Sequence, residues 1–146
     1  MNSKLNLIAA ATVALLTGSV AAEESYWVAL SSDVSMNRSS IAHAGQGDKS
    51  VWIQRNYDQP ISLGVDTQSG QEIYPHQSVQ VQYVVNCAQG KLNMVSWKMY
   101  GEANSKGNLV WASQVPKADA NYRYSPGTEE EKAVTANLCG TSVGGL

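Results

Sequence analysis

One predicted strand constrains the fold of this chain more than any other segment: it covers residues 77–87 and reads QSVQVQYVVNC. Its odd-numbered residues from Val79 to Cys87 are apolar or aromatic, and all but one of the residues between them are polar. This two-residue period predicts a strand with one buried face, so Cys87 points into the core. The only other cysteine, Cys139, ends the best-defined predicted helix. We therefore expect a disulfide that ties this helix to the apolar face of a sheet.

The first 22 residues have the pattern of a secretory signal peptide. Lys4 precedes a largely apolar run over residues 5–16, and small residues close the segment. The run is shorter than the roughly 20 residues that a membrane helix needs. We therefore predict a signal peptide over residues 1–22, with cleavage after Ala22 and export from the cytoplasm.

Residues 23–140 are expected to form one domain, and residues 141–146 a flexible tail. No cysteine lies at the cleavage site to carry a lipid, so we expect no lipid anchor. Nine of the ten basic residues remain after cleavage against twelve acidic ones, for a net charge of −3. This charge and the lack of a basic run disfavour nucleic acid as a partner. No later segment is apolar for long enough to be a transmembrane helix.

Six strands are predicted from apolar alternation between turn residues. They cover residues 26–30, 36–44, 50–57, 77–87, 91–100 and 108–115. In the third strand, Trp52 lies on the opposite side from Val51 and Ile53. Residues 58–76 show no sustained period and contain proline and glycine, so we interpret them as a long connection. A connection of this length is the first place to look for a binding surface.

The predicted helix begins with a clear start signal. Thr128 and Glu131 match a capping box, and the acidic residues after Thr128 suit the positive end of the helix dipole. Val134 and Leu138 lie one turn apart on one face, and Gly140 can end the helix. A helix of about a dozen residues is marginal in water, so packing and the disulfide must hold this one.

Residues that could carry chemistry do not converge on a catalytic site. His43 and His76 lie in different segments without metal-ligand spacing, and the helix cap explains the carboxylates at residues 129–131. We therefore predict no catalytic residue, no metal, no cofactor and no enzyme activity. An unrecognised serine hydrolase is a distant third alternative, because a catalytic triad is assembled in space.

Each of the four tryptophans lies in a predicted strand, where core packing is the ordinary role. If the helix covers the apolar side of residues 77–87, the opposite side of the sheet stays free for a partner. That side should carry Trp52, and either Trp97 or Tyr100 depending on the register. We predict binding through Trp52, Trp97 and Tyr100. The alternative is that these side chains pack under the long connection.

Several short features follow one another along the chain: Trp27, Ser39-Ser40-Ile41, Val51-Trp52, Tyr57, Pro60, Tyr83, Cys87, Tyr100, Gly107, Val110, Pro126-Gly127-Thr128 and Cys139. Their order and spacing resemble the surface-adhesin protein E family of Gram-negative bacteria. The chain departs from the family pattern at residues 34–38, where the family usually has a tyrosine and an aspartate. It also lacks the lipid-bearing cysteine of the well-known adhesin.

The resemblance implies an α+β fold, in which a single antiparallel sheet of about six strands carries a C-terminal helix on one face. It also implies a non-enzymatic virulence protein that binds host extracellular-matrix or serum proteins and forms a homodimer. We expect such a protein in the periplasm, associated with the outer membrane, or secreted. The alternative from a different class is a periplasmic envelope factor or an inhibitor of another protein.

Overall fold

The computed structural model describes residues 26–45, 47–116 and 119–140. The elements are β1 (Trp27–Ala29), β2 (Val34–His43), β3 (Asp48–Ile61), β4 (Gly64–Val65), β5 (Glu72–Ile73), β6 (His76–Asn86), β7 (Lys91–Tyr100), a 3-10 turn (Ala103–Ser105), β8 (Leu109–Gln114) and α1 (Glu129–Cys139). Six strands form one antiparallel sheet in the order β1-β2-β3-β6-β7-β8, and β4 pairs with β5. The α+β fold and its six predicted strands are confirmed. The predicted signal peptide and tail lie outside the described residues.

The segment between β3 and β6 is more regular than the sequence suggests. β3 continues to Ile61, which pairs with His76, and the same register places Gly64 opposite Ile73 in β4 and β5. Asp66 closes the tip, because its carboxylate accepts hydrogen bonds from two backbone N–H groups of the turn. The expected long irregular connection is therefore wrong for most of its length. It is the outer part of one hairpin made by β3 and β6.

The core lies between α1 and one end of the sheet. Val134 and Leu138, the two residues predicted for the inner face of α1, are both buried there. The other buried members of this cluster come from the sheet: Val34, Met36, Val51, Ile53, Tyr83, Val85 and Leu92. Cys87 and Cys139 pack against the cluster and form a disulfide, with their Cα atoms 5.2 Å apart. The predicted disulfide is confirmed.

Both ends of α1 are satisfied by hydrogen bonds. The Thr128 hydroxyl accepts from the Glu131 N–H at 3.2 Å, and the Glu131 carboxylate accepts from the Thr128 N–H at 3.0 Å. This is the predicted capping box. At the other end, Lys49 Nζ donates to the carbonyl oxygen of Leu138 at 2.9 Å. The ammonium group therefore lies at the negative end of the helix dipole, which favours it.

The face of the sheet opposite α1 is polar and is partly covered by the turn between β7 and β8. Asn104 in this turn exchanges hydrogen bonds with the Asn56 side chain, and the Ser105 hydroxyl donates to Gln54 Oε1 at 2.7 Å. The Ser105 N–H donates to the buried Ser78 hydroxyl at 3.0 Å. Polar side chains thus hold the turn against the part of this face that carries Gln54, Asn56 and Ser78.

Candidate functional site

Two of the three residues predicted to bind lie on the face opposite α1. Trp52 pairs across the strands with Gln82, and Tyr100 pairs with Ser78. Both partners belong to the polar side of β6. Trp97 lies on the other side of the sheet, so the structure does not bring the three residues together.

A β-bulge decides which of Trp97 and Tyr100 shares a face with Trp52. The two residues are three positions apart in one strand, so they lie on opposite faces in either register. Met94 and Ser96 pair with consecutive residues of β6, so Val95 is an extra residue in β7. Beyond the bulge, Trp97 pairs with Val81 on the α1 side of the sheet. The sequence carries a signal for the extra residue that was not used in the prediction. The apolar residues of β7 change phase here, from Leu92 and Met94 to Trp97 and Met99.

Trp52 is half-buried and has a charged neighbour. Lys98 Nζ lies 4.7 Å from the centroid of the Trp52 ring, which is the geometry of a cation–π contact. Tyr100 is also half-buried, and its hydroxyl lies 3.5 Å from Gln80 Oε1. This face therefore offers two separate aromatic side chains in a polar surface, and the turn between β7 and β8 limits access to one end of it.

α1 covers only one end of its own side of the sheet. Val85 is fully buried beneath it, whereas Val79 and Val81 are only half-buried. The expectation that the helix covers this whole apolar stripe is therefore wrong. The reason is length: eleven helical residues rise about 16 Å, and the eleven residues of β6 extend about 36 Å.

Three aromatic rings lie in a row on this uncovered half of the α1 side. The ring centroids of Trp97 and Trp111 are 5.4 Å apart, and those of Trp111 and Tyr74 are 5.9 Å apart. We call Trp97, Trp111 and Tyr74 the aromatic row. Tyr74 follows β5 directly, so the row connects the sheet to the outer part of the β3–β6 hairpin.

The outer part of the hairpin exposes a series of large apolar side chains. We call Ile61, Leu63, Val65 and Tyr74 the hairpin surface; Ile73 pairs with Gly64 and lies on the other side of the hairpin. The exposed fractions of these four side chains run from 41% to 56%, which is high for side chains of this type. Grouped exposure of this kind, rather than a single exposed residue, marks interaction sites in soluble proteins.

A groove also lies beside the first turn of α1. Two adjoining depressions, of about 270 and 450 Å³, share Arg55, Thr128 and Glu130 as walls. The smaller one has an apolar floor that includes Val79 and Val81. The Arg55–Glu130 ion pair, with an N–O distance of 2.6 Å, separates the two depressions.

Glu130 is the more deeply buried member of that ion pair. Its carboxylate accepts hydrogen bonds from Arg55 and, at 2.9 Å, from the Tyr83 hydroxyl. Burial raises the pKa of Tyr83 far above its ordinary value, and the Glu130 charge raises it further, so the phenol stays protonated and donates. Partial burial disfavours the charge on Arg55, but the neighbouring Glu130 outweighs it and raises the pKa of the guanidinium. The pair is therefore a fixed structural element of the groove.

Glu131 combines the helix cap with a second tyrosine. Burial alone would raise the pKa of Glu131, but the N–H groups of Thr128 and Gly127 and the Tyr124 hydroxyl lower it below its ordinary value. Burial and the hydrogen bond to Glu131 raise the pKa of Tyr124 to about 12. Glu130 and Glu131 thus have structural partners, and the cap explains Glu131 as predicted, whereas Glu129 is exposed.

Other chemistry has little support in the described parts of the chain. Within residues 26–45, 47–116 and 119–140, no group of three or more His, Cys, Asp or Glu side chains could hold a metal ion. His43 is exposed, and His76 is buried with its Nδ1 2.7 Å from the Tyr74 carbonyl oxygen. The same residues contain no helix that is long and apolar enough to cross a membrane.

Comparison with known proteins decides the family. A model of surface-adhesin protein E matches residues 27–140. The chain belongs to the surface-adhesin protein E family. This match spans nearly all of the described residues, so it includes the sheet, the hairpin surface and α1.

Solved structures agree with this assignment at the level of the fold. The crystal structure of protein E from non-typeable Haemophilus influenzae is 19% identical, with a TM-score of 0.53, and the match covers 81% of this chain and 80% of that one. A further structure of Haemophilus influenzae protein E is 18% identical, with a TM-score of 0.51, over 79% of this chain and 87% of that one. A search of curated protein sequences finds no match to this chain.

One family feature, Ser39-Ser40-Ile41, has a clear structural role. Register between β2 and β3 shifts in this region, so a stretch of β2 cannot pair regularly. The Ser40 hydroxyl replaces the missing backbone acceptor, because it accepts from the Trp52 N–H at 2.8 Å and donates to the Asn37 carbonyl at 2.7 Å. Ser40 therefore helps to maintain the pairing of β2 and β3 in this segment.

Residues 58–76, which contain the hairpin surface, were predicted as the first place to look for a binding surface, but their strand structure was not predicted, although a signal is present. Ile61, Leu63 and Val65 alternate with other residues at the two-residue period of a strand. Pro60 precedes this pattern and Gly64 interrupts it. Because both residues disfavour a strand, the segment was interpreted as a connection. The groove beside the first turn of α1 has no comparable signal, because its walls come from segments that are distant in sequence.

Proposed function

We propose that this protein is an exported, non-enzymatic adhesin that binds host extracellular-matrix or serum proteins. Membership of the surface-adhesin protein E family supports an adhesin. The observation that carries the proposal is the hairpin surface, which is exposed, apolar and continuous with the aromatic row through Tyr74. Binding by such a surface requires no catalytic group.

The size of the hairpin surface is sufficient for an anchor. Burying the exposed half of one large apolar side chain contributes about 1 kcal/mol. Its four members can therefore contribute several kcal/mol to a complex, before the cost of association is subtracted. Aromatic side chains such as Tyr74 are frequent among the residues that dominate interfaces.

Binding can be tested with purified protein and a panel of immobilised matrix and serum proteins. We expect Leu63→Ser combined with Val65→Ser to weaken capture by about tenfold or more, since both side chains would lose interface burial. Leu109→Ser is the control, because Leu109 is equally exposed, at 54%, but lies on β8. Unchanged capture by the hairpin variant, or an equal loss in the control, would contradict a role for the hairpin surface.

Location separates this proposal from its alternative, a periplasmic envelope factor or inhibitor. An adhesin should be digested when intact cells are treated with protease, whereas a periplasmic protein should be protected. Intact-mass measurement on protein from the native host tests the processing: we expect an unlipidated chain that begins at Glu23. Protection on intact cells, together with capture of an envelope protein from the bacterium, would support the alternative.

A further inference from the structure

A third depression extends the groove beside α1. It measures about 400 Å³ and is lined by Ser32, Asp33, Asn56, Tyr57 and Asp58. Asp33 also lines the larger of the two depressions described above, and Tyr57 also lines the smaller one. The third depression therefore shares one wall residue with each of the other two and lies at the sheet edge next to them, whereas only the first two are lined by residues of α1. We call them together the acidic groove.

The charge of the acidic groove is strongly one-sided. Its lining includes five carboxylates: Asp33, Asp58, Glu129, Glu130 and Glu131. Among the residues that the structure describes, Arg55 is the only basic one that lines it, and Glu130 already pairs with it. The chain as a whole is nearly balanced, with ten basic and twelve acidic residues, so this is a local concentration of negative charge.

Three of these carboxylates are accessible to a ligand, and one of them, Asp33, also accepts a hydrogen bond from the Ser31 hydroxyl at 2.8 Å. Asp33, Asp58 and Glu129 are exposed, whereas Glu130 and Glu131 are engaged by tyrosines, Arg55 and the helix cap. Lys132 lies 2.8 Å from Glu129, but both side chains are largely exposed. A pair of this kind is weak, so a ligand cation can compete with it.

The floor of the same groove is apolar. Val79 and Val81 are half-buried there, and Met94 and the rings of Tyr57 and Tyr124 complete the wall. A small anion is disfavoured by the surrounding carboxylates, and a purely apolar ligand would desolvate them without compensation. The complementary ligand carries a cation next to an apolar group.

We propose that the acidic groove binds an extended segment of a partner protein in which a lysine or arginine neighbours an apolar residue. The apolar side chain occupies the depression over Val79 and Val81, and the basic side chain reaches Asp33, Asp58 or Glu129. This inference rests on the proposed function as a protein-binding adhesin. The groove is separate from the hairpin surface and specifies the chemistry of the segment that binds.

The test uses three short synthetic peptides, each a Gly-Ser chain with one central tripeptide. The tripeptides are Lys-Leu-Lys, Glu-Leu-Glu and Lys-Ser-Lys, and binding is followed by titration into isotopically labelled protein observed by NMR. We expect only the Lys-Leu-Lys peptide to shift the signals of Val79, Val81 and Met94. Raising the salt concentration should weaken the binding of this peptide, since salt screens the exposed charges.

A charge-matched pair of variants locates the site. The first variant removes three exposed carboxylates from the groove by combining Asp33→Asn, Asp58→Asn and Glu129→Gln. We expect its affinity for the Lys-Leu-Lys peptide to fall by about tenfold. Asp66→Asn with Glu72→Gln and Glu102→Gln removes three exposed carboxylates elsewhere and should leave its affinity unchanged. A third variant, Val81→Thr, should reduce the advantage of Lys-Leu-Lys over Lys-Ser-Lys.

Equal weakening by both charge variants, or equal binding of the Glu-Leu-Glu peptide, would overturn the inference. Lack of binding by the Lys-Leu-Lys peptide would overturn it as well. The matrix and serum panel, run in parallel, separates the two proposals. If the parent protein and the groove variant capture a host protein equally well, the adhesin proposal stands and the groove inference fails; if the parent captures none, the adhesin proposal fails.

Discussion

At the scale of single residues, Ser40 shows how one hydroxyl can stabilise an irregular strand. It accepts the hydrogen bond of the Trp52 N–H where β2 and β3 do not pair regularly. Ser40→Ala would leave this N–H without that acceptor, and an unsatisfied group in a partly buried position costs about 1 to 3 kcal/mol. We therefore expect the free energy of unfolding, measured with urea, to fall by that amount.

Ser39→Ala is the matched control for Ser40. Ser39 is exposed, and its hydroxyl donates only to the neighbouring Asn37 side chain, so we expect a loss below about 0.5 kcal/mol. Equal losses for the two variants would contradict the role assigned to Ser40.

Glu131 makes the stability of α1 depend on pH. The folded protein lowers the pKa of Glu131 below its ordinary value of 4.5, so this contribution is fully present above pH 4.5 and is lost as the pH falls through the lowered value. Glu131→Gln should reduce stability at pH 7 by about 0.5 to 1 kcal/mol, and the difference from the parent should shrink as the pH falls below 4.5. Unfolding measured from pH 7 to pH 3 tests this.

The exposed Glu72 provides the comparison for this pH series. Glu72→Gln should follow the parent curve closely, because Glu72 lies on the hairpin and caps no helix. If the Glu131→Gln variant kept a constant difference from the parent at all pH values, the carboxylate would not be the titrating group.

At the scale of elements, α1 is held at its two ends by different means. Its first turn is held by the Arg55–Glu130 pair and the capping box, and its last turn by the disulfide and Lys49. Replacing both Cys87 and Cys139 with alanine opens a loop of 52 residues in the unfolded chain. We expect a loss of about 2 to 5 kcal/mol in the free energy of unfolding.

Hydrogen exchange distinguishes loss of the disulfide from a general loss of stability. In the double alanine variant, amides near Leu138 should exchange faster than amides near Glu131, because the first turn keeps its hydrogen bonds. Reduction of the parent protein should produce the same gradient along α1. Uniformly faster exchange along the helix would contradict this division of roles.

At the scale of the whole molecule, two broad surfaces are alternative sites for self-association or ligand capture. One is the hairpin surface with the aromatic row, and the other is the polar face that carries Trp52. We predict that Trp52→Ala folds normally and weakens either self-association or ligand capture, measured by light scattering and on the host-protein panel. Lys98→Ala is the control, because it removes the cation over the Trp52 ring and leaves the ring in place. An unfolded Trp52→Ala variant would place Trp52 in the core, and unchanged association and binding would exclude this face.

Local patterns were sufficient to predict the six strands of the main sheet and α1, together with the helix cap and the disulfide that hold α1 in place. The alternation that ends at Cys87 and the capping box at Thr128 each depend on residues close together in the chain, and the apolar pair at Val134 and Leu138 depends on one helical turn. A period and a cap are properties of short segments, so they are read without knowledge of the fold. The position of Cys139 at the end of the helix then specified the disulfide, because no other cysteine was available.

The sheet face on which each predicted binding residue lies, and how deeply its side chain is buried, depended on packing between distant segments. One extra residue, Val95, placed Trp97 rather than Tyr100 on the α1 side of the sheet, because it shifted the pairing of β7 with β6. The limited length of α1 left Val79 and Val81 uncovered, and the acidic groove joined Asp33, Asp58 and Glu129 from three separate segments. Register and contact between distant segments are set by how strands pair and how far a helix reaches, so they exist only in the folded chain.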